Sequence, residues 1–174
     1  DVLGSRGLGD VYKRQAYNAD EKELCRLDEI YSAVKTPFEI RSGSEKVTRR
    51  FFKICNNGRE SFTGLYKSLT EQGICKGHQC IAYGLYMRDN GIELSEGLAV
   101  YGYSICSAIV TNCVKLVPLS QLAGQKILGE SFELISSASE KALFTDINDI
   151  GISGAGFDLR AMQHERLYSR QYMS

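Results

Sequence analysis

The sequence predicts an all-α protein: a single-domain helical bundle of about six to seven helices with a flexible polar C-terminal tail. Three observations lead there. Apolar residues recur at three- and four-residue spacings along most of the 174 residues, the period of a helix with one buried face. Only two prolines interrupt the chain, and each follows the end of an apolar run. No stretch sustains the period-two alternation bounded by turn pairs that marks a strand.

Composition narrows the class further. Lys plus Arg and Asp plus Glu both number 21, and this neutral balance lacks the electrostatic footprint of a nucleic-acid binder. Apolar residues at 43% and charged residues at 24% exclude wholesale disorder. A chain of this length buries roughly 70% of its unfolded surface, so it needs no disulfide staples. The six cysteines at 25, 55, 75, 80, 106 and 113 are therefore expected as buried thiols in a reducing cytoplasm.

The N-terminus stands apart. Ser5 to Gln15 reads S-R-G-L-G-D-V-Y-K-R-Q, which resembles the translation of a transposon-type sequencing adapter. Residues 1–15 are accordingly expected to be non-native and to make no contact with the helical core, as with any fusion scar. The helical domain is expected over 16–157 and a docking tail over 158–174.

The first helix is expected from Asp20 to Val34, with Leu24, Leu27, Ile30, Tyr31 and Val34 on one face, and Thr36-Pro37 ends it. Ser44 is the expected N-cap of the second, whose face carries Val47, Phe51, Phe52, Ile54 and Cys55 before Asn56-Asn57-Gly58 stops it. A third runs from about Ser61 to Glu71 and a fourth from about His78 to Arg88, separated by glycines at 73 and 77. Gly97 to Val114 carries no charge over eighteen residues, which reaches membrane-spanning length. Its internal Ser, Thr, Asn and Tyr groups and the lack of a flanking basic cluster favour a central buried helix instead. Leu98, Ile105 and Ile109 are expected inside it. Pro118 then turns the chain. Ser120 caps one long helix to Lys141 that points Leu122, Ile127, Leu128, Phe132, Ile135 and Ala138 inward. Gly151 to Gly156 is read as a flexible connection to the tail.

Chemistry-bearing constellations are few. Cys75-x-x-His78-x-Cys80 gathers three soft or borderline metal ligands in six residues, but a structural zinc site wants a fourth. His164-Glu165 is an acid/base pair in composition, yet adjacent helical residues do not face each other. The chain contains no H-E-x-x-H, no P-loop lysine and no G-x-S-x-G. On the residues alone, the chain reads as an interaction protein, with no enzymatic constellation.

Two longer motifs carry more. Lys115-Leu-Val-Pro118-Leu-Ser120-Gln121-Leu-Ala-Gly124-Gln125 resembles the R-L-x-P-L-G-Q-x-x-G-Q signature of the urease accessory protein UreF family. The closing His164-Glu165-Arg-Leu-Tyr168-Ser169-Arg170-Gln-Tyr172-Met-Ser174 resembles that family's C-terminal H-E-x-x-Y-S-R-L-F-x-S. Phe38-Glu39-Ile40-Arg41-x-x-Ser44, and His78 followed by Tyr83-Gly84, also match family positions. The motifs occur in family order from about Leu24 onward. Lys115 stands for the usual Arg, Ser120 for Gly, Gln171 for Leu and Tyr172 for Phe. The family's N-terminal glycine loop is missing, so an N-terminally truncated member is expected.

The resemblance implies an all-α, non-catalytic cytoplasmic chaperone or scaffold for nickel incorporation into apo-urease. It implies a homodimer that bridges a UreD/UreH-type accessory protein and the GTPase UreG and modulates the GTPase cycle. No cofactor is expected on this chain; nickel and GTP are handled by the partner complex, with no nucleic acid and no membrane involved. The partner-binding residues implied are Lys115, Gln121, Gln125, His164, Glu165, Tyr168, Ser169, Arg170, Tyr172 and Ser174. A helical metal chaperone using Cys75, His78 and Cys80, or an unrelated helical interaction scaffold, are the alternatives.

Overall fold

The computed structural model describes Val11 and residues 15–55, 58, 60–117, 119–145 and 155–168. Local chemistry sets the boundaries of its helices. Helix α1, Glu21–Val34, opens at Asp20, whose carboxylate accepts the Glu23 N–H at 2.9 Å. Glu21 and Glu23 in the first turn complement the helix dipole. Helix α2, Phe38–Ile54, starts directly after Pro37, six residues before the expected cap at Ser44. The proline φ of −66° leads into the helix without strain, so no cap at Ser44 is needed. Thr48 and Phe52 are buried on α2, while Val47 and Ile54, expected inward, are exposed.

Helix α3, Phe62–Glu71, is capped by Ser61, which accepts from Gly64 N–H at 2.9 Å. The Asp89 carboxylate takes the next two orphan donors, Phe62 N–H at 3.0 Å and Thr63 N–H at 2.8 Å. Asp89 is the last residue of helix α4, Gln79–Asp89, so one side chain ties the end of α4 to the start of α3.

The central helix of the bundle is α4. Cys80, Ile81, Ala82, Gly84, Leu85 and Met87 are all buried, covering most of its circumference. Leu24, Leu27 and Tyr31 of α1, Phe52 of α2, and Tyr66 and Leu69 of α3 close round it in one core. This corrects the expectation that the longest apolar segment is the core helix. Helix α5, Leu94–Leu116, exists as expected, but only Gly97 and Leu98 are buried on it. Ile105 and Ile109 are half-exposed, and Val100, Leu116 and Val117 beside them are 66%, 55% and 54% exposed. Its first turns press on α4 so closely that a Cβ at Gly97 would overlap Met87. Beyond that, α6, Gln121–Glu130, and α7, Phe132–Phe144, pack along it and Tyr101 meets Tyr83 of α4 edge-on at 5.9 Å, but most of its surface stays at least partly exposed among the described residues.

Helices α6 and α7 replace the single helix expected from Ser120 to Lys141. Ser131 ends α6: its Oγ donates to Ile127 O at 2.8 Å, and its N–H reaches both Ile127 O and Leu128 O. A serine that bonds back in this way competes with the helical ladder. The break rotates the apolar face, so Leu128 and Ile135 are buried while Leu122, Ile127 and Phe132 are exposed. Ser120 caps α6 as expected, accepting from Ala123 N–H at 3.1 Å. Pro118 and most of the Gly151–Gly156 connection lie outside the described residues.

Two terminal expectations also change. Val11 is 4% exposed and packs with Leu98 and Ala142, so the 1–15 stretch does contact the helical core at that residue. The tail, expected to be flexible with a possible short helix, contains helix α8, Ala155–His164, which begins inside the expected connection and lies against α2.

Burial separates the residues of α5 energetically. Leu98→Ala is expected to destabilise the chain by about 2–5 kcal/mol, the range for a fully buried leucine. Ile109→Ala should cost about 1 kcal/mol or less, since much of that side chain remains in water. Urea denaturation of both variants checks this; equal losses would place the buried centre on α5 after all.

Candidate partner-docking site

Three motif segments that are far apart in sequence meet at one end of the bundle, around the first two turns of α2. The first link is made by the tail. Pro37 offers no side-chain cap, and the Phe38 N–H at the start of α2 donates to Glu165 Oε1 at 2.9 Å across 127 positions. A carboxylate at a helix N-terminus satisfies an orphan donor and complements the dipole. Next to it, His164 Nδ1 lies 2.6 Å from Glu39 Oε2. His164 ends α8 and Glu165 lies just past it. Both side chains therefore reach the same helix end, although adjacent residues within a helix would diverge.

The second link runs from α2 to α4. Helix α4 has His78 at its N-cap position without a cap from its own side chain. Ser44 of α2 supplies the missing acceptor: its Oγ takes the Gln79 N–H at 3.0 Å. The expected capping residue is thus a cap, but for a different helix.

Under this junction sits a buried polar cluster centred on Asp28 of α1, which is 3% exposed. Its carboxylate accepts from Tyr66 Oη at 2.5 Å, Lys76 N–H at 2.7 Å and Gly77 N–H at 3.1 Å. Tyr66 Oη in turn accepts the His78 N–H at 2.8 Å. His78 Nε2 and Ser32 Oγ are 2.6 Å apart, and the His78 ring lies 4.6 Å from that of Tyr31. Gly77 must be glycine, because its φ is +86° and a Cβ would meet Thr70 Cγ2 at 2.7 Å. Burial, with Lys35 and Arg41 nearby, pushes the His78 pKa down from 6.5 to about 4, although Asp28 pulls the other way. Burial and the Asp28 charge hold the Tyr66 phenol well above its ordinary value.

The surface above this cluster is a groove of about 380 Å³ between α1, α2, α4 and α5. Tyr31, Lys35, Ser44, Tyr83, Tyr101 and Asn112 line it, a mixture of aromatic area and hydrogen-bonding groups suited to protein recognition.

The other sequence-derived residues fall into three groups. Lys115, Gln121 and Gln125 are all exposed, at the far end of α5 and along α6. Gly124 between them is buried, and a Cβ there would meet Val114 Cγ2 at 2.8 Å, so the glycine sets how closely α6 approaches α5. Tyr168 is fully exposed. Ser169, Arg170, Tyr172 and Ser174 lie outside the described residues. The Cys75, His78, Cys80 trio does not form a metal centre: among the described residues no three His, Cys, Asp or Glu side chains converge on one point. His78 is turned to Ser32, and Cys75 Sγ to Cys25 Sγ at 3.8 Å.

Asp28, Tyr66 and Ser32 had no place among the sequence-derived site residues. A signal for Asp28 was present, since it sits four residues after Leu24 and beside Leu27, inside the apolar stripe of α1. A carboxylate in such a stripe is buried only with partners.

Comparison with known proteins agrees with the motif reading. The UreF family model matches residues 9–131, beginning inside the stretch that resembles an adapter. Urease accessory protein UreF of Actinobacillus pleuropneumoniae serotype 5b (strain L20) is 34% identical over 158 residues, covering 90% of this chain and 70% of that protein. The protein of the same name from Haemophilus influenzae is 35% identical over 153 residues, 87% of this chain and 65% of its own length. That of Paenarthrobacter aurescens is 31% identical over 152 residues, 85% and 67% respectively.

Two measurements test the site's construction. The unfolded chain takes up a proton on His78 below about pH 6.5, while the folded chain resists until about pH 4. The contribution of His78 to stability therefore falls as pH drops through that window. The urea midpoint of wild type should drop more steeply there than that of His78→Gln; parallel pH profiles would contradict the buried neutral imidazole. Glu165→Ala should cost about 1 kcal/mol as a lost helix cap, read by thermal unfolding, and Glu165→Gln should recover part of it.

Proposed function

The chain belongs to the UreF family of urease accessory proteins, and from that premise we propose that it is a non-catalytic scaffold for nickel incorporation into apo-urease. It bridges a UreD/UreH-type accessory protein and the GTPase UreG in the cytoplasm and modulates the GTPase cycle. Nickel is cargo of the assembly, and GTP belongs to the GTPase.

The observation that carries this reading is the anchoring of the tail. Glu165 and His164 fix α8 on the first turn of α2. Tyr168, just beyond, is fully exposed, and Arg170 and Tyr172 follow in sequence. Tyr and Arg dominate interface energetics. The tail 158–174 is thus a docking element held at its root, and the helical domain 16–157 is its platform. The polar groups of the site also favour a structural role. Asp28, Ser44 and Glu165 each accept backbone N–H groups, which leaves them engaged in holding helix ends.

A second surface supports assembly between copies. Tyr103 of α5 and Phe132 of α7 stack at 5.8 Å with ring planes 2° apart, and both rings remain exposed. Leu122, Leu134 and Phe144 on the neighbouring helices are exposed as well, at 81%, 60% and 85%. Apolar area of this kind is suited to a dimer interface. Lys115, Gln121 and Gln125 border it on α5 and α6 and are assigned to partner contact. Helix α5 is also long and apolar enough to cross a membrane by length and composition; the exposed apolar side chains are assigned here to protein contact.

Deleting residues 166–174 should leave helicity and thermal midpoint nearly unchanged, because the anchoring residues remain, while capture of the UreD/UreH-type protein is lost. Unchanged affinity in a co-purification assay would overturn the docking role. Arg170→Ala should weaken capture without a collapse of GTP hydrolysis in complexes that still assemble. A fall of roughly a thousandfold or more in that rate would instead mark an arginine finger.

A further inference from the structure

One pair of reactive side chains is engaged by neither the helix caps nor the docking surface. Cys25 on α1 and Cys75 in the turn between α3 and α4 are separated by 50 positions, and their Sγ atoms lie 3.8 Å apart. Both are thiols; Cys25 is half-exposed and Cys75 is 2% exposed. The contact is held by the fold on both sides. Asp28 sits one turn after Cys25 on the same face of α1. Its carboxylate grips the N–H groups of Lys76 and Gly77, the two residues that follow Cys75. The carboxylate clamp therefore keeps the two sulfurs in register.

We propose that Cys25 and Cys75 form a redox modification site, in which a peroxide converts the two thiols into an intramolecular disulfide joining α1 to the α3–α4 turn. The two thiols are unequal. Burial and the Asp28 charge hold the Cys75 proton firmly, so Cys75 is the second sulfur to react, and the accessible Cys25 is the first. Cys25 as thiolate attacks one peroxide oxygen. The O–O bond breaks, hydroxide leaves and takes up the Cys25 proton as water, and Cys25 becomes a sulfenic acid. The Cys75 sulfur then attacks the Cys25 sulfur. The S–S bond forms, the S–O bond breaks, and the departing hydroxide leaves as water with the Cys75 proton. In sum, two thiols lose two protons and two electrons, and hydrogen peroxide becomes two waters. The sulfurs must close from 3.8 Å to about 2.05 Å. The proposal assigns that movement to rotation of the Cys25 side chain between staggered positions, while Asp28 holds the Lys76 and Gly77 N–H groups next to Cys75.

The test uses the full chain, reduced and then exposed to hydrogen peroxide, with remaining thiols alkylated and the protein digested without reductant. Mass spectrometry should find a Cys25–Cys75 peptide pair, with two of the six thiols lost to alkylation and both restored by dithiothreitol. Cys25→Ser and Cys75→Ser should each abolish that pair. A chain with Cys55, Cys106 and Cys113 all changed to Ser should form it in undiminished yield. The proposal is overturned if Cys25 and Cys75 stay alkylatable while other cysteines oxidise, or if Cys25 proceeds to sulfinic acid without crosslinking. Mapping on the unsubstituted chain decides between these outcomes even where a serine variant fails to fold.

Discussion

The Asp28 carboxylate is the contact on which the α1–α4 half of the molecule depends. A charge buried this deeply is tolerated only when its oxygens are satisfied, and Asp28 accepts from one phenol and two backbone N–H groups. Those donors belong to α3 and to the turn before α4, so a single side chain of α1 positions both. Through Tyr66 Oη the cluster extends to the His78 N–H, at the exact residue where α4 begins its first turn. Helix α4 is the helix the core is built around, and the residues that lead into it are also held by this polar cluster. Such clusters specify geometry because each member has few alternative partners in a low-dielectric interior.

Much of this fold was legible from spacing alone. Asp20, Ser61 and Ser120 act at helix starts as their residue types suggest. Four of the helices fall within a few residues of their expected bounds, because amphipathic periodicity and stop residues are local properties. Two misreadings share one cause. Helix α2 starts right after Pro37, and its first N–H donates to Glu165, 127 positions away, while Ser44 caps α4 in place of its own helix. Neither fact is encoded in a window of ten residues. The site follows the same division: the motif positions Phe38–Glu39, Ser44, His78 and His164–Glu165 were readable one at a time, whereas their convergence was a matter of tertiary structure.

The exchange of roles between α4 and α5 has a different origin. By composition α5 is the more hydrophobic helix, and an apolar helix is ordinarily assigned to a core. Yet a core helix needs neighbours on all sides. Helix α4 has α1, α2 and α3 packed round it and the first turns of α5 against it, while α5 beyond Leu98 packs mainly on α6 and α7 and meets α4 at Tyr101–Tyr83. Apolar composition records that a surface will be covered, and not whether the cover comes from the same chain. The exposed Val100 and Leu116 on α5 and Val117 just past it, with Leu122 and Phe132 beyond, are consistent with cover supplied by another chain, as expected of an accessory protein that works in a complex.

Helix α2 joins these arguments. Its first residue donates to the tail through Glu165, its second turn caps α4 through Ser44, and its fourth turn buries Phe52 in the core beside Tyr66. A helix is stiff over this length, so its N-terminal placement is shared by the tail root and the α4 cap. The tail root is the weaker of the two contacts, since His164 is exposed and Glu165 only partly covered. Exposed charged contacts of this kind contribute little net stability, which leaves the tail root separable from the bundle at small cost. The Ser44 cap of α4 is half-buried and the Asp28 carboxylate is buried, and neither contact involves the tail. The division is physically sensible for a scaffold: a four-helix core tied together by the Asp28 cluster, and a tail root, His164 and Glu165, held to it by more exposed contacts.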